Sequence, residues 1–436
     1  MINRLLNWLD NSTCNFLAVA TIANELEQHG FSELRMEDKW KLVKGGKYYV
    51  TKNGSAIFPF IVGTGEIAED GVRIISAHSD SPCFKIKPNS EIYGDGGVVC
   101  LNVEKYGGGI LYTWFDRPLS ISGRVMVKGP DAFHPKSILV DLKRPVCTIP
   151  HLAIHFNRGV NDGNALSVQK DMKPVVGYFS QEEIVKYKKN GGVVKSMIAD
   201  HLGLQVDDIL EYELNLYPLE PATVVGCNNE YFQSARIDDL SMAYAGLEAL
   251  LAADEAGQSR ATRLLAVFDN EETGSGTKQG AASPILKNIL SRIAEAVSDE
   301  PGTESFLRMV SNSFMISADD AHAWHPNYNE KYDPTNHPVI GGGPVIKINA
   351  NCKYMTDADG AAVFSELCRE AGVEYQYFVN HSDVLGGSTL GNISSSQLDL
   401  RGVDMGNAIW AMHSARETAG VNDHLATVKV FTRFYK

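Results

Sequence analysis

The chain has 436 residues, of which 44% are hydrophobic and 39 are glycine, and its formal net charge is -13. This length exceeds what one small core organises, so we expect a soluble α/β protein with two domains, or one domain carrying a large insert. The negative charge argues against a nucleic-acid partner, and no stretch approaches the roughly 20 apolar residues that a membrane-spanning helix requires.

The seven cysteines are scattered, odd in number and never arranged as Cys-x-x-Cys. This usage is typical of reduced thiols. The first ten residues contain too short an apolar run for a signal peptide. Both observations favour a cytoplasmic protein.

The first part of the chain predicts a helix and three strands. Apolar residues at helical spacing over residues 17–29 end at Gly30, and short strands are predicted over 47–51 and 56–62. A further strand begins at Val72 and ends at His78 and Asp80. These two side chains share one face of an extended chain, which suits a metal-binding imidazole beside a carboxylate that ligates or orients it. A surface loop is the alternative.

The pattern changes from about residue 94 to residue 225. Short β-branched runs between glycines predict a strand-rich insert. Within it, residues 195–204 and 206–214 are predicted to be helices. The insert also contains His151 and His155, and their spacing alone favours a structural or interfacial role.

Acidic residues follow the next predicted elements. Asp238 and Asp239 precede a helix over residues 242–251, where capping would explain one of them. The apolar strand 264–268 is followed closely by Glu271 and Glu272. Successive side chains of an extended segment point in opposite directions, so one carboxylate is able to bind a metal while the other handles a proton. A solvated acidic turn is the alternative.

A third strand, over residues 313–317, is followed by Asp319. A helix over 357–371, a strand over 375–379 and a helix over 423–434 complete the prediction. Three strands thus present ligand groups at their carboxyl ends, where open α/β sheets place their sites. Carboxylates mixed with imidazole suit zinc, manganese or cobalt, and five such groups with a bridging carboxylate suit two ions.

Seven segments together resemble the aspartyl aminopeptidase family of co-catalytic zinc metalloaminopeptidases. They are 76–88 (SAHSDSPCFKIKP), 101–118 (LNVEKYGGGILYTWFDRP), 236–240 (RIDDL), 268–283 (FDNEETGSGTKQGAAS), 317–328 (SADDAHAWHPNY), 343–347 (GPVIK) and 411–417 (AMHSARE). The resemblance implies a mixed-sheet α/β zinc exopeptidase catalytic domain over residues 1–92 and 227–436. Residues 93–226 would form an inserted β-rich dimerisation domain.

The resemblance also implies the roles of the site residues. Two divalent ions, zinc or else manganese or cobalt, would share Asp238 as a bridge. The first would be held by His78 and Asp319, and the second by Glu272 and His413. Asp80 would orient His78, and Glu271 would be the general base.

Family members prefer peptides that begin with Asp or Glu, and they assemble as dimers that build a dodecamer. The resemblance therefore implies peptide substrates and self-association. The substrate-binding residues would be Lys347, Tyr354 and His322, together with His155, which in the family reaches a neighbour's active site. His151 is the alternative to His155.

Two positions depart from the family pattern, because Asp239 stands where Asn is common and His381 stands where relatives carry Arg. An aminopeptidase with neutral or basic specificity is therefore the alternative. An N-acyl amino acid deacylase on a similar scaffold is another. A self-assembling particle with a vestigial site is the alternative from a different class.

Overall fold

A computed structural model of the chain describes residues 2–436. The first half contains α1 (Ile2–Asn11), α2 (Asn15–Gln28), β1 (Ser32–Glu33), β2 (Lys47–Lys52), β3 (Ala56–Ile61), α3 (Ile67–Asp70), β4 (Val72–His78), β5 (Cys83–Tyr93), β6 (Val98–Tyr106), β7 (Leu119–Val127), β8 (Lys136–Asp141), α4 (Val168–Asp171), β9 (Val175–Tyr178), α5 (Gln181–Lys189), α6 (Val193–Leu202) and β10 (Ile209–Pro218). The second half contains β11 (Thr223–Val225), β12 (Tyr231–Ser234), α7 (Ile237–Glu255), β13 (Thr262–Phe268), α8 (Ile285–Val297), α9 (Thr303–Ser311), β14 (Phe314–Ala318), β15 (Ala321–His322), β16 (Val345–Ile348), α10 (Ala358–Ala371), β17 (Gln376–Val379), α11 (Leu390–Leu398), β18 (Arg401–Gly406), β19 (Ala408–Trp410), β20 (Glu417–Gly420) and α12 (Val421–Tyr435).

The chain divides into two compact units. The first comprises the described residues up to Asp80, Ala222–Met412 and Glu417–Lys436. The second comprises Ser81–Pro221 and the short segment His413–Arg416. The fold is mixed α/β, as expected from the sequence.

A nine-stranded mixed sheet forms the centre of the first unit, in the order β1-β2-β3-β13-β4-β14-β18-β16-β17. Strands β13, β4, β14 and β18 run parallel to one another. Their residues are almost all buried, because helices pack on both faces of a parallel sheet. Helices α1, α2, α7, α10 and α12 contribute to the core on one face, and α8, α9 and α11 contribute to the core on the other.

The strand order places the three predicted acidic strand ends side by side. Phe268 of β13 is in register with His78 of β4, and Ser317 of β14 is in register with Ser76. Because the three strands are parallel and adjacent, the residues that follow them emerge at the same edge of the sheet. A second sheet of the same unit has the order β11-β12-β20-β19-β15.

The second unit contains a six-stranded antiparallel sheet with the order β8-β7-β10-β5-β6-β9. Its longest pairing joins β10 to β7 over nine residue pairs, from Ile209–Val127 to Pro218–Leu119. Helix α6 supplies Val194, Ile198 and Ala199 to the apolar core of this unit. This architecture confirms the prediction of a strand-rich segment.

The helix predicted over residues 206–214 is wrong. Only a short 3-10 turn occurs at Val206–Asp208, and Ile209–Pro218 is strand β10. The apolar residues Val206, Ile209 and Leu210 imitate helical spacing. Leu214 and Leu216, however, both belong to the apolar core of the second unit, two residues apart as on one face of a strand. Pairing with β7 on one side and β5 on the other overrides the local preference.

The other predicted elements are confirmed within a few residues at their ends. Seven helices were missed, namely α1, α3, α4, α5, α8, α9 and α11. Helix α5 did carry a readable signal, because Ser180 and Glu183 form a reciprocal capping box at its start. Among residues 2–436, no helix has the length and the apolar character that crossing a membrane demands.

Replacing Gly123 with Ala is expected to destabilise the second unit. A Cβ at this position would lie 2.0 Å from the main-chain oxygen of Glu213 on the neighbouring strand β10, and a main-chain atom has little freedom to move. We expect a loss of about 1–3 kcal/mol in the free energy of unfolding, measured by chemical denaturation. Gly159→Ala is the matched control, because its Cβ would meet Asp162 Oδ2 at an ordinary 3.6 Å. Equal stability of the two variants would contradict this close strand packing.

Candidate metal centre

The imidazole of His78 is fixed at the end of β4 with one nitrogen facing acidic side chains. The residue is 1% exposed. Its Nδ1 lies 3.0 Å from the main-chain oxygen of Asp80, and its Nε2 lies 3.5 Å from Asp238 Oδ1. A hydrogen bond from Nδ1–H to a carbonyl oxygen selects the tautomer in which Nε2 carries a lone pair. Nε2 is therefore the atom that His78 offers to a cation.

Asp238 and Asp239 lie at the start of α7, are both buried and are joined by a cis peptide bond. The main-chain N–H of Asp238 donates to Glu417 Oε2 at 3.1 Å. Asp239 Oδ2 accepts the main-chain N–H of His78 at 3.0 Å. These bonds connect the start of α7 to β20 and to β4. Glu417 was not predicted as a partner, because no local spacing connects it to Asp238, which lies 179 positions earlier in the chain.

Asp80 connects the ends of β4 and β13. Its Oδ1 accepts the main-chain N–H of Glu271 at 3.1 Å, and its Oδ2 accepts that of Glu272 at 3.2 Å. The same Oδ1 lies 3.4 Å from His78 Nδ1. The resemblance assigned to Asp80 only the orientation of His78. The carboxylate also holds the main chain of both glutamates in place.

Asp319 and Asp320 follow β14 and are held from three sides. The main-chain N–H of Asp319 donates to the main-chain oxygen of Met405 in β18 at 2.9 Å. The carboxylate of Asp320 accepts bonds from Ser241 Oγ at 2.8 Å and from the main chain of Asn407 at 3.3 Å. Asp320 was not among the candidate residues, and its only sequence signal is its position beside Asp319.

Lys347 of β16 is buried beside this pair, with an exposed fraction of 3%. Its Nζ donates to the main-chain oxygen of Asp320 at 3.1 Å and lies 3.5 Å from Asp319 Oδ2. The ring of Tyr354 lies 5.5 Å from the same nitrogen. Burial, the largest single effect, would lower the pKa of Lys347, but Asp319 together with Tyr354, Asp404 and Asp238 outweighs it, so the pKa lies above its usual range. Lys347 is thus a permanent positive charge at the edge of the acidic cluster.

The crowding of these acids changes their proton affinity. Burial raises the pKa of Glu271 to about 8, and nearby carboxylates contribute to the rise. Burial also raises the pKa of Asp239 and of Asp320 well above the usual range of an aspartate. Burial would lower the pKa of His78, but the carboxylates around it raise it well above its usual range. Each shift reports the same excess of buried negative charge.

The donor set fits a divalent cation. His78, Asp238, Asp239 and Asp319 each offer a ligand atom, and these atoms lie within 4.8 Å of one another. His78, Glu271 and Glu272 form a second group that meets the same distance limit. Imidazole nitrogen with carboxylate oxygen is a common donor set for zinc, and a cation would offset the repulsion among the buried acids.

Four further histidines are candidates, three of them in the second unit and one in the first. His413 has φ 67° and belongs to the short segment of the second unit, where its Nδ1 lies 3.2 Å from the main-chain oxygen of Gly108. His155 is exposed in the same unit, whereas His151 is 2.7 Å from Asp116 Oδ2. In the first unit, the exposed His322 packs its ring against Phe378 at 5.8 Å. The roles of these histidines stay predictions.

Comparison with known proteins gives one consistent result. The family model described as aminopeptidase I zinc metalloprotease (M18) matches residues 8–435. A probable M18 family aminopeptidase 2 from Clostridium novyi (strain NT) is 47% identical over 433 residues, which cover 99% of this chain and 98% of that protein.

Two solved structures extend the similarity to the fold. The chain aligns with a chain of a cryo-EM structure of the Ape4 and Nbr1 complex at a TM-score of 0.94 and 34% identity, covering 99% of this chain and 84% of that one. It aligns with the S. cerevesiae mApe1 dodecamer at a TM-score of 0.87 and 28% identity, covering 99% and 95%.

Replacing Gly406 with Ala is expected to weaken metal binding although it replaces no candidate ligand. A Cβ on this residue of β18 would lie 2.0 Å from the main-chain oxygen of Asp319, so Asp319 must shift. We expect zinc affinity to fall about 10–100-fold, measured by competition with a chromophoric chelator. Gly276→Ala is the control, because its Cβ would meet open space. Identical affinities in the two variants would refute the importance of this strand contact.

Proposed function

Because the chain belongs to the M18 family of zinc aminopeptidases, and is thus a hydrolase, we propose that it removes N-terminal Asp and Glu residues from peptides. One observation carries the proposal. The ligand atoms of His78, Asp238 and Asp319 cluster at one sheet edge, and Asp80 holds the main chain of Glu271 and Glu272 beside them. A proton-handling carboxylate next to a metal cluster is what peptide hydrolysis by an activated water requires.

Two divalent ions are proposed, with zinc as the first choice. His78, Asp238 and Asp319 would hold one ion, while Asp238, Glu272 and His413 would hold the other. His413 enters this set through the family resemblance. When bound, the ions would lower the pKa of water and stabilise the negative charge that develops on the scissile carbonyl oxygen.

Glu271 is proposed as the general base. Its carboxylate takes the proton from the attacking water and returns it to the leaving amine as the peptide bond breaks. The hydrogen bond from its main chain to Asp80 supports this role, because it fixes the residue relative to His78. Asp80 acts by positioning, through His78 on one side and the two glutamates on the other.

Lys347 is proposed to bind the acidic side chain of the substrate. A carboxylate needs a cation or several donors, and this ammonium, whose charge is permanent, lies among otherwise acidic groups. Tyr354 and His322 are proposed to contact the same residue of the substrate. His155, or else His151, is proposed to act on a neighbouring copy.

Self-association through the second unit is proposed, first as a dimer and then as a dodecamer. The support is the similarity to the S. cerevesiae mApe1 dodecamer. A cytoplasmic location is also proposed, since all seven cysteines are free thiols in the part of the chain that the structure describes.

Specificity for neutral or basic N-terminal residues is the second candidate. Two observations favour it: Lys347 already lies 3.5 Å from Asp319, and His381 replaces the arginine of the family pattern. A vestigial site in a self-assembling particle is less favoured, because the acidic cluster and Lys347 are intact.

The proposal is tested with aminoacyl chromogenic substrates carrying Asp, Glu, Leu, Lys and Ala. We expect chelator-sensitive turnover with a preference for Asp and Glu. Glu271→Gln should lower kcat by about 10²–10⁴-fold with bound zinc retained, because it removes the proton carrier and spares the proposed ligands. Glu295→Gln, on the exposed side of α8, is the control.

Each failure has a distinct meaning. Chelator-sensitive turnover that prefers Leu or Lys would overturn the acidic specificity and leave the reaction class in place. Full activity of Glu271→Gln would overturn the assignment of the base. No turnover of any substrate by zinc-loaded protein would favour the vestigial site.

A further inference from the structure

Asp404 of β18 is a buried carboxylate outside the proposed ligand set. The residue is 0% exposed. Its Oδ2 accepts the main-chain N–H of Met355 at 2.6 Å, and its Oδ1 accepts the hydroxyl of Thr389 at 2.6 Å. Its own main-chain N–H donates to Thr356 Oγ1 at 2.8 Å. One residue therefore connects two loop segments to the central sheet.

The bond to Asp404 replaces the usual side-chain cap at the start of α11. Thr389 is the N-cap residue of α11, yet its side chain makes no capping bond, and its hydroxyl is directed to Asp404 instead. Gly391, in the first turn of α11, makes room for the carboxylate, because a Cβ there would lie 2.5 Å from Asp404 Oδ2. Thr389 and Gly391 at the start of α11 therefore both accommodate the carboxylate of Asp404.

The two segments held by Asp404 belong to the region proposed to recognise the substrate side chain. Met355 directly follows Tyr354, whose ring lies 5.5 Å from Lys347 Nζ. Thr389 ends the loop that begins after β17 and contains His381. The positive charge of Lys347 also acts on Asp404 and opposes the rise in its pKa that burial causes.

We propose that Asp404 is a positioning residue for substrate specificity. Its carboxylate holds Met355 and Thr389 to β18 and thereby fixes Tyr354 and the His381 loop around Lys347. This inference rests on the proposed function, because it assumes that Lys347 and Tyr354 contact the N-terminal acidic side chain.

Asn at position 404 would disturb this arrangement in a defined way. A carboxylate offers an acceptor oxygen to each of its two donors, whereas an amide offers one oxygen and one NH₂ group. The NH₂ group would face either the main-chain N–H of Met355 or the hydroxyl of Thr389, so one of the two connections breaks. Thr389→Val removes the second connection alone and leaves every charge in place.

The experiment compares Asp404→Asn and Thr389→Val with the unmodified enzyme on Glu and Leu chromogenic substrates. We expect the ratio of kcat/KM for Glu to that for Leu to fall at least tenfold in Asp404→Asn and measurably in Thr389→Val. The loss should come from a higher KM for Glu, with kcat and bound zinc close to those of the unmodified enzyme.

Asp423→Asn is the matched control for a buried aspartate that holds main-chain amides. Asp423 is 1% exposed and accepts the N–H groups of Gly341 at 2.7 Å and Gly343 at 2.9 Å. This variant should lose thermal stability and keep the Glu to Leu ratio of the unmodified enzyme. If Asp404 had only a structural role, Asp404→Asn would also lose thermal stability and keep the Glu to Leu ratio.

Three results would overturn the inference. One is an unchanged ratio in Thr389→Val, which tests the connection even if Asp404→Asn does not fold. Another is a lower KM for Glu in Asp404→Asn, since that would make Asp404 a counter-charge that weakens Lys347. The third is a ratio that falls equally in Asp423→Asn. A preference of the unmodified enzyme for Leu would instead overturn the acidic specificity on which the inference rests.

Discussion

Repulsion among buried carboxylates at one sheet edge is the constraint on which the rest of this structure depends. Asp238, Asp239, Asp319 and Asp320 are all at most 9% exposed, and Glu271 lies close enough for its pKa to rise to about 8. Such a cluster is tolerated only where positive charge compensates it. Within the first unit, Lys347 supplies part of that charge, and divalent cations would supply the rest.

The scaffold keeps these groups in place through main-chain contacts. The carboxylate of Asp80 accepts the main-chain N–H groups of the two glutamates. The main-chain N–H of Asp319 donates to Met405, and the main-chain N–H of Asp238 donates to Glu417. Each bond joins the end of one central strand, or the start of α7, to another element of the same unit. A site fixed by main-chain atoms on buried strands resists displacement when surface residues change.

The residues proposed for metal binding and those proposed for specificity belong to different parts of this unit. The proposed ligands His78, Asp238 and Asp319 are positioned by β4, α7 and β14, whereas Tyr354 and the loop before Thr389 are connected through Asp404 on β18. Lys347 is common to both, because its ammonium contacts Asp319 and lies near Tyr354. Because this lysine lies near both parts, its environment would decide, under the proposed function, whether an acidic side chain is accepted.

The three strands and the acidic residues at their ends could be predicted from the sequence. Runs such as residues 264–268 are readable because a buried parallel strand is apolar throughout, and the glutamates that follow break the run sharply. Three features became evident only in the folded chain: residues 209–218 form a strand, Lys347 is paired with Asp319, and Asp404 connects Met355 to Thr389. The physical reason is distance along the chain. Periodicity records which face of an element is buried, whereas these pairings join residues from different elements, and no local spacing specifies which partner a strand or a charge will meet.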